Sequence, residues 1–186
     1  MDWVALDAVQ TAGGILLMWD RRVLERTEVL VGSFSMSVRW QGVGDGFNWA
    51  CSGVYGPIAN NARGLMWDEL VGIQQYWSVP WCCIGDFNIV RFLSERLGNS
   101  RLIPTMELFS EFIEDLNLSD LPLEGGSYTW SRGSDRPSMS RIDSFGVSRL
   151  GGSISECDPT DFTSPCFRPF LNSSGGRGNG EEEKSV

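Results

Sequence analysis

"WCCIGDFNIV", residues 81–90, runs from apolar side chains through a glycine to an aspartate and an asparagine two residues apart. A short apolar run entered from Pro80 reads as a buried strand. Side chains alternate between the faces of a strand, which would set Asp86 and Asn88 on one side and turn Phe87 back into the core. One point at a strand end would then carry an acceptor-only carboxylate and an amide that both donates and accepts. Phosphodiester hydrolysis calls for such a pair: a carboxylate to align or deprotonate water, and neutral donors or a metal to stabilise charge on phosphate. A plain Asp–Asn turn accounts for the same residues, so the surrounding chain has to decide between them.

Ahead of this stretch, "GILLMWD" (14–20), "TEVLVGSF" (27–34), "SMSVRWQ" (35–41) and "FNWACSGVYG" (47–56) are rich in β-branched and aromatic residues and are separated by Gly, Asp and Arg clusters. They predict consecutive antiparallel strands. The period then changes: Leu65 or Met66, Leu70, Ile73 and Trp77 fall on one helical face, with Asn60 or Asn61 as N-cap. Beyond the quoted stretch, Met106, Phe109, Phe112, Ile113 and Leu116 recur at helical spacing behind Pro104 and Thr105, which predicts a second helix. "SYTWSR" (127–132) and "SRIDSFGVS" (140–148) read as two further short strands. Residues 149–186 are dense in Gly, Ser and Pro and end in an acidic run, which predicts an irregular, largely disordered tail behind a single domain over 1–148. Strands grouped around two helices make the fold class α+β, a two-layer sheet core.

At 186 residues with 41% hydrophobic content, eight Trp and ten Phe, the chain has ample material for a core. Its net charge of −9, with 12 basic against 18 acidic residues through position 150, opposes tight sequence-independent binding to nucleic acid. The five cysteines (51, 82, 83, 157, 166) are odd in number and lack CxxC spacing, so they read as reduced thiols and not as a disulfide framework or zinc site. No apolar run reaches membrane-spanning length, and the N-terminus lacks signal-peptide order. The prediction is a soluble, intracellular protein, nuclear or cytoplasmic.

"GVYGP" (53–57), "GDFN" (85–88), "YTW" (128–130) and "SRID" (140–143) occur in this order, each near the end of a predicted strand. Together they resemble the endonuclease/exonuclease/phosphatase, or DNase I-like, superfamily, and in particular the endonuclease domain of plant LINE-type retrotransposons. "GGILLMWD", "PWCCIGDFN" and "GGSYTWSR…SRID" carry that finer likeness over about residues 10–148. The resemblance implies a four-layer αββα sandwich and a phosphodiesterase dependent on Mg²⁺, with DNA as partner. It implies that Tyr55 donates to the scissile phosphate, Asp86 orients the attacking water, and Asn88 bonds the phosphate or helps position the metal. Thr129 and Trp130 would line the nucleic-acid groove, with Arg141 nearby, and Asp143 would orient a catalytic histidine. On the residues alone, Tyr55 and Trp130 could be core aromatics, and Asp143 with Arg141 a structural ion pair; the four motifs together favour the site positions.

The chain departs from the family's pattern at both ends. It contains no histidine, and "CDPTDFTSPCF" (157–167) stands where a late "SDH" motif is expected, with Asp161 as the one candidate remnant of its aspartate. No "QET"-like glutamate strand precedes "TAGGILL", so the metal ligands cannot be assigned. The expectation is therefore a sandwich incomplete at both ends and a degenerate, catalytically inactive copy. Three functions compete: a weak metal-dependent nuclease or phosphatase built on Tyr55, Asp86 and Asn88; a non-catalytic nucleic-acid- or protein-binding remnant; and no selected function.

Overall fold

The structure, a computed structural model, describes residues 1–8, 13–97, 101, 103–121, 126–133 and 138–148. All of them belong to one unit, Met1–Gly152. The tail predicted over 149–186, with Asp161, Cys157 and Cys166, lies outside the described residues.

The chain opens with an antiparallel hairpin, β1 (Asp2–Leu6) on β2 (Ile15–Trp19). Then β3 (Leu24–Val31), β4 (Ser35–Gly42) and β5 (Asn48–Tyr55) form an antiparallel meander. Helix α1 (Asn60–Trp77) crosses over to β6 (Trp81–Asp86), which pairs parallel to β5. A 3₁₀ turn (Leu93–Glu95) and the short β7 (Arg96–Leu97) lead to α2 (Pro104–Asp115) and β8 (Leu118–Asp120). Last come β9 (Trp130–Arg132), β10 (Ser138–Ser140) and β11 (Asp143–Ser148). The main sheet has six strands in the order β3-β4-β5-β6-β11-β8, while β7-β10-β9 forms a small separate sheet.

Alternation decides what each face of the main sheet meets. Ala50 and Val54 of β5 and Trp81 and Cys83 of β6 look to the helices, where they join Met66, Leu70, Ile73 and Trp77 of α1 and Phe109, Phe112 and Ile113 of α2 in one buried cluster. Complete burial of such side chains contributes about 1.5–3 kcal/mol each. Small hydroxyls fit beneath α1 on this face: Ser37 Oγ and Ser52 Oγ lie 2.5 Å apart, and Trp81 Nε1 donates to Ser52 Oγ at 2.8 Å. Glu69 of α1 reaches the β3–β4 turn, accepting from Ser33 N at 2.7 Å and Ser35 Oγ at 2.6 Å.

The opposite face meets the hairpin. Ile15 and Leu17 of β2 sit directly over Gly53, where a Cβ would come within 2.5 Å of Ile15. Trp40 stands between Trp19 and Trp49 with ring centroids 5.8 and 4.7 Å away. The layers among the described residues are thus helices, main sheet and hairpin, and the outer surface of the hairpin exposes Trp3, Leu16 and Met18.

Several details differ from the sequence expectation, each for a local reason. The run 14–20 does form a strand, but it pairs with β1 and leaves the meander, because its inward side chains fit the second face of the main sheet. Helix α1 begins at Asn60 with Ala59 at the N-cap and no side-chain cap, since the Asn60 carboxamide is taken by Arg63 Nη1 at 2.6 Å. Met66 is fully buried and Leu65 exposed, which settles the face of α1. The adjacent thiols of Cys82 and Cys83 are both buried, and burial pushes their pKa values up.

Candidate active site

Three neighbouring strands end at one place. The parallel register of β5 and β6 pairs Tyr55 with Asp86, and the antiparallel register of β6 and β11 pairs Asp86 with Asp143. Residues paired across adjacent strands share a face, so the phenol and both carboxylates project from the hairpin side of the sheet. The Tyr55 ring packs over Gly13, where a Cβ would approach within 2.6 Å. Tyr55 and Asp86 are both half-buried at the rim of the core.

Beyond Asp86 the strand stops and its alternation ends. Phe87 turns into the core as predicted, packing 5.5 Å from Phe109 between ring centroids. Asn88, however, adopts a left-handed conformation at φ 52°. It reaches the site through a turn and not by standing two residues along a strand. Its N–H donates to Asp86 Oδ1 at 2.7 Å, and its Nδ2 donates to the Gly56 carbonyl at 2.7 Å. Gly56 N in turn donates to Asp86 O at 2.6 Å. The loops after β5 and β6 are therefore sewn together, and at Gly56 a Cβ would come within 2.5 Å of Phe87 O.

Thr129 and Asp143 are brought together by backbone capture. The Thr129 hydroxyl accepts from Ile142 N at 3.1 Å and Asp143 N at 3.2 Å, which fixes the entry of β11. Trp130 is 43% exposed beside it. Arg141 follows Ser140, the strand partner of Trp130, and its guanidinium pairs with Glu95 and Asp120 and not with Asp143. Its guanidinium donates to Glu95 Oε1 at 3.0 Å, Asp120 Oδ1 at 2.8 Å and Leu121 O at 2.9 Å. Glu95 also accepts from Arg91 N at 2.7 Å and Phe92 N at 2.9 Å, so this ion-pair network joins the loop after β6 to the start of β11.

Burial is the main cause that raises the Asp86 pKa, and the nearby Asp143 charge raises it further, against the lowering effect of the Asn88 N–H. The folded state consequently holds the Asp86 proton to higher pH than the unfolded chain does, and stability falls as pH rises from 3.8 through the folded value. Asp86→Asn removes that cost while its side-chain oxygen can still accept from Asn88 N. Its expected effect is a gain in stability at pH 7, read from urea unfolding, that vanishes near pH 3. Equal or lower stability of the variant at pH 7 would show that Asp86 carries no such burden.

Asp86 and Asp143 are the carboxylates of the cleft, and the Asn88 amide is turned to Gly56. Among the described residues no group of three or more His, Cys, Asp and Glu side chains gathers that could hold a metal ion. Among the described residues the donor set is these two carboxylates, short of a closed protein cage for a resident cation, and no step is assigned to a metal. Among the described residues no helix is long and apolar enough to cross a membrane.

Sequence reasoning missed Arg63, which is buried at the start of α1 directly beneath the sewn loops. A signal for it existed: position 63 falls in the stripe of Met66, Leu70, Ile73 and Trp77, so an arginine lies in register with the buried face of its helix.

No family model and no curated protein matches the chain. Solved structures do resemble it. An endonuclease/exonuclease/phosphatase family protein from Bacteroides thetaiotaomicron superposes with a TM-score of 0.54 at 15% identity, over 79% of this chain and 60% of that one. An endonuclease/exonuclease/phosphatase from Bacteroides vulgatus superposes with a TM-score of 0.52 at 12% identity, over 79% of this chain and 64% of that one. The fold is the α+β, DNase I-like fold of endonuclease/exonuclease/phosphatase proteins, and this chain spans less than two thirds of the length of these two structures.

Proposed function

We propose that the chain carries the cleft of a DNase I-like phosphodiesterase domain of the plant LINE-retrotransposon type, in a copy that has lost catalysis and retains phosphoester recognition. The observation that carries this reading is the alignment of Tyr55, Asp86 and Asp143 at the ends of three adjacent strands, with Asn88 stitched beside them. Tyr55 is suited to donate to a phosphate oxygen, and Asp86 to hold a water. Asp143, whose N–H donates to Thr129 Oγ1, would by the resemblance orient an imidazole, and the chain contains no histidine. Losing a general acid/base costs about 10²–10⁴ in rate, and among the described residues the cleft offers the expected Mg²⁺ two carboxylates and no third such ligand.

A second reading, a binding module for nucleic acid or protein, is favoured by the exposed Trp130, since base–aromatic stacking is tolerant of sequence. The net charge of −9 and the structural engagement of Arg141 weigh against strong phosphate-backbone affinity for DNA.

The deciding assay is nicking of supercoiled plasmid by purified, folded protein with Mg²⁺, with EDTA, and with Asp86→Ala. The expected result is no metal-dependent nicking above buffer. Nicking that needs Mg²⁺ and disappears in Asp86→Ala would overturn the loss of catalysis.

A further inference from the structure

Arg63 belongs to α1, yet the oxygens it binds come mostly from elsewhere. Nη2 donates to Asn88 O at 2.6 Å and to Ile58 O at 3.4 Å, and Nε donates to Pro57 O at 3.3 Å. Nη1 donates to Asn60 Oδ1 at 2.6 Å and to Thr105 Oγ1 at 3.5 Å. These five acceptors are carbonyl, amide or hydroxyl oxygens, so a neutral-oxygen cradle holds a cation whose residue is only 6% exposed. Burial lowers the guanidinium's pKa, and it receives no carboxylate in return among the described residues. A buried charge held this way needs its hydrogen bonds to offset desolvation. The five bonds reach the loop after β5 at Pro57 and Ile58, the loop after β6 at Asn88, and the first turns of both helices.

We propose that Arg63 is the positioning residue of the cleft: one buried guanidinium ties the loop after β5 to the loop after β6 and so sets where Tyr55 and Asn88 stand. The bond to Asn88 O lies on the backbone of the residue held at φ 52°. That residue's side chain bonds back to Gly56, next to Tyr55. Releasing the clamp frees Asn88 to leave the left-handed conformation, and its amide then parts from Gly56. Lysine cannot replace it, because a single ammonium lacks the planar fork that reaches Pro57 O, Asn60 Oδ1 and Asn88 O together. The inference rests on reading this cleft as a phosphoester site, but its test reads loop geometry alone, so it can fail while that reading stands, and the reverse.

The measurement is hydrogen exchange of the Asn88 side-chain amide by ¹⁵N NMR, assigned through Asn88→Asp, in the full chain and in Arg63→Lys. The wild type is expected to protect the Nδ2 proton bonded to Gly56. Arg63→Lys should exchange it at least about tenfold faster while the backbone amides of β4 and β5 keep their protection. Unchanged Asn88 exchange in folded Arg63→Lys would overturn the proposal, as would an equal loss of protection throughout the sheet. Should Arg63→Lys fail to fold, Asn60→Ala removes a single arm of the cradle. There a roughly two- to fivefold acceleration confined to Asn88 supports the clamp, and none refutes it.

Discussion

Gly85→Ala is expected to lower stability by about 4 kcal/mol, the combined effect of a glycine-only backbone conformation and a backbone clash. Gly85 has φ 144°, and an added Cβ would lie 2.0 Å from the Val54 carbonyl oxygen. Side-chain repacking cannot relieve this contact, because Val54 and Gly85 are partners in the parallel pair at the centre of the main sheet. Residue 85 also immediately precedes Asp86, so any shift that relieves the clash moves the cleft. For a domain of this size the loss corresponds to a fall of about 8–16 °C in Tm, measurable by calorimetry. Gly72→Ala in α1 is the natural comparison. A Cβ there meets nothing within 4 Å, and the helix should gain about 0.5–1 kcal/mol. A drop of less than about 1 kcal/mol for Gly85→Ala would mean that β5 and β6 are less tightly coupled than the register indicates.

Arg141→Met carries the second largest expected loss, about 3 kcal/mol at pH 7, because it strands two partly buried carboxylates. Glu95 and Asp120 retain only 12% and 17% of their side-chain exposure, and Arg141 is the cation that both of them contact. Burial already raises the Asp120 pKa, while the Arg141 charge and hydrogen bond pull it down. Without Arg141 the folded value rises further. An acid with a raised folded pKa is relatively stabilised as pH falls, so the deficit of Arg141→Met should shrink on acidification through that value. Denaturant unfolding at pH 7 and pH 4 tests both parts. A deficit that is the same at both pH values would show that lost packing, and not stranded charge, is the cause.

The periodic parts of this molecule were legible before any coordinates. Val38 and Trp40 alternate with Ser37, Arg39 and Gln41 along β4, and the Met106–Phe109–Ile113 spacing marks the buried side of α2. β1 and the three-residue β8 were not: β1 is a short strand of a local hairpin, and β8 has too few residues to show a period and depends on a distant partner, β11 at Gly146–Ser148. Within the candidate site, the positions of Tyr55, Asp86 and Asp143 followed from strand ends, and the register sets them side by side. The left-handed turn at Asn88 was hidden because alternation holds only while a strand continues, and Gly56 captures the amide from another loop. Arg141 shows the same limit, because both of its carboxylates lie more than 20 residues away in sequence.

The order β6-β11-β8 also governs when the chain can finish folding. Trp81–Asp86 is synthesised well before Asp143–Ser148, yet β11 must enter between β6 and β8, bringing Val147 opposite Cys82 across 65 positions. Loop closure of that span comes before the contacts that reward it, which makes this pairing a slow, late event. Until residues 143–148 leave the ribosome, Cys82, Ile84 and the backbone edge of β6 remain open to incorrect pairing. Synthesis therefore makes the meander and α1 available first, and the two aspartates of the cleft meet only once β11 pairs with β6.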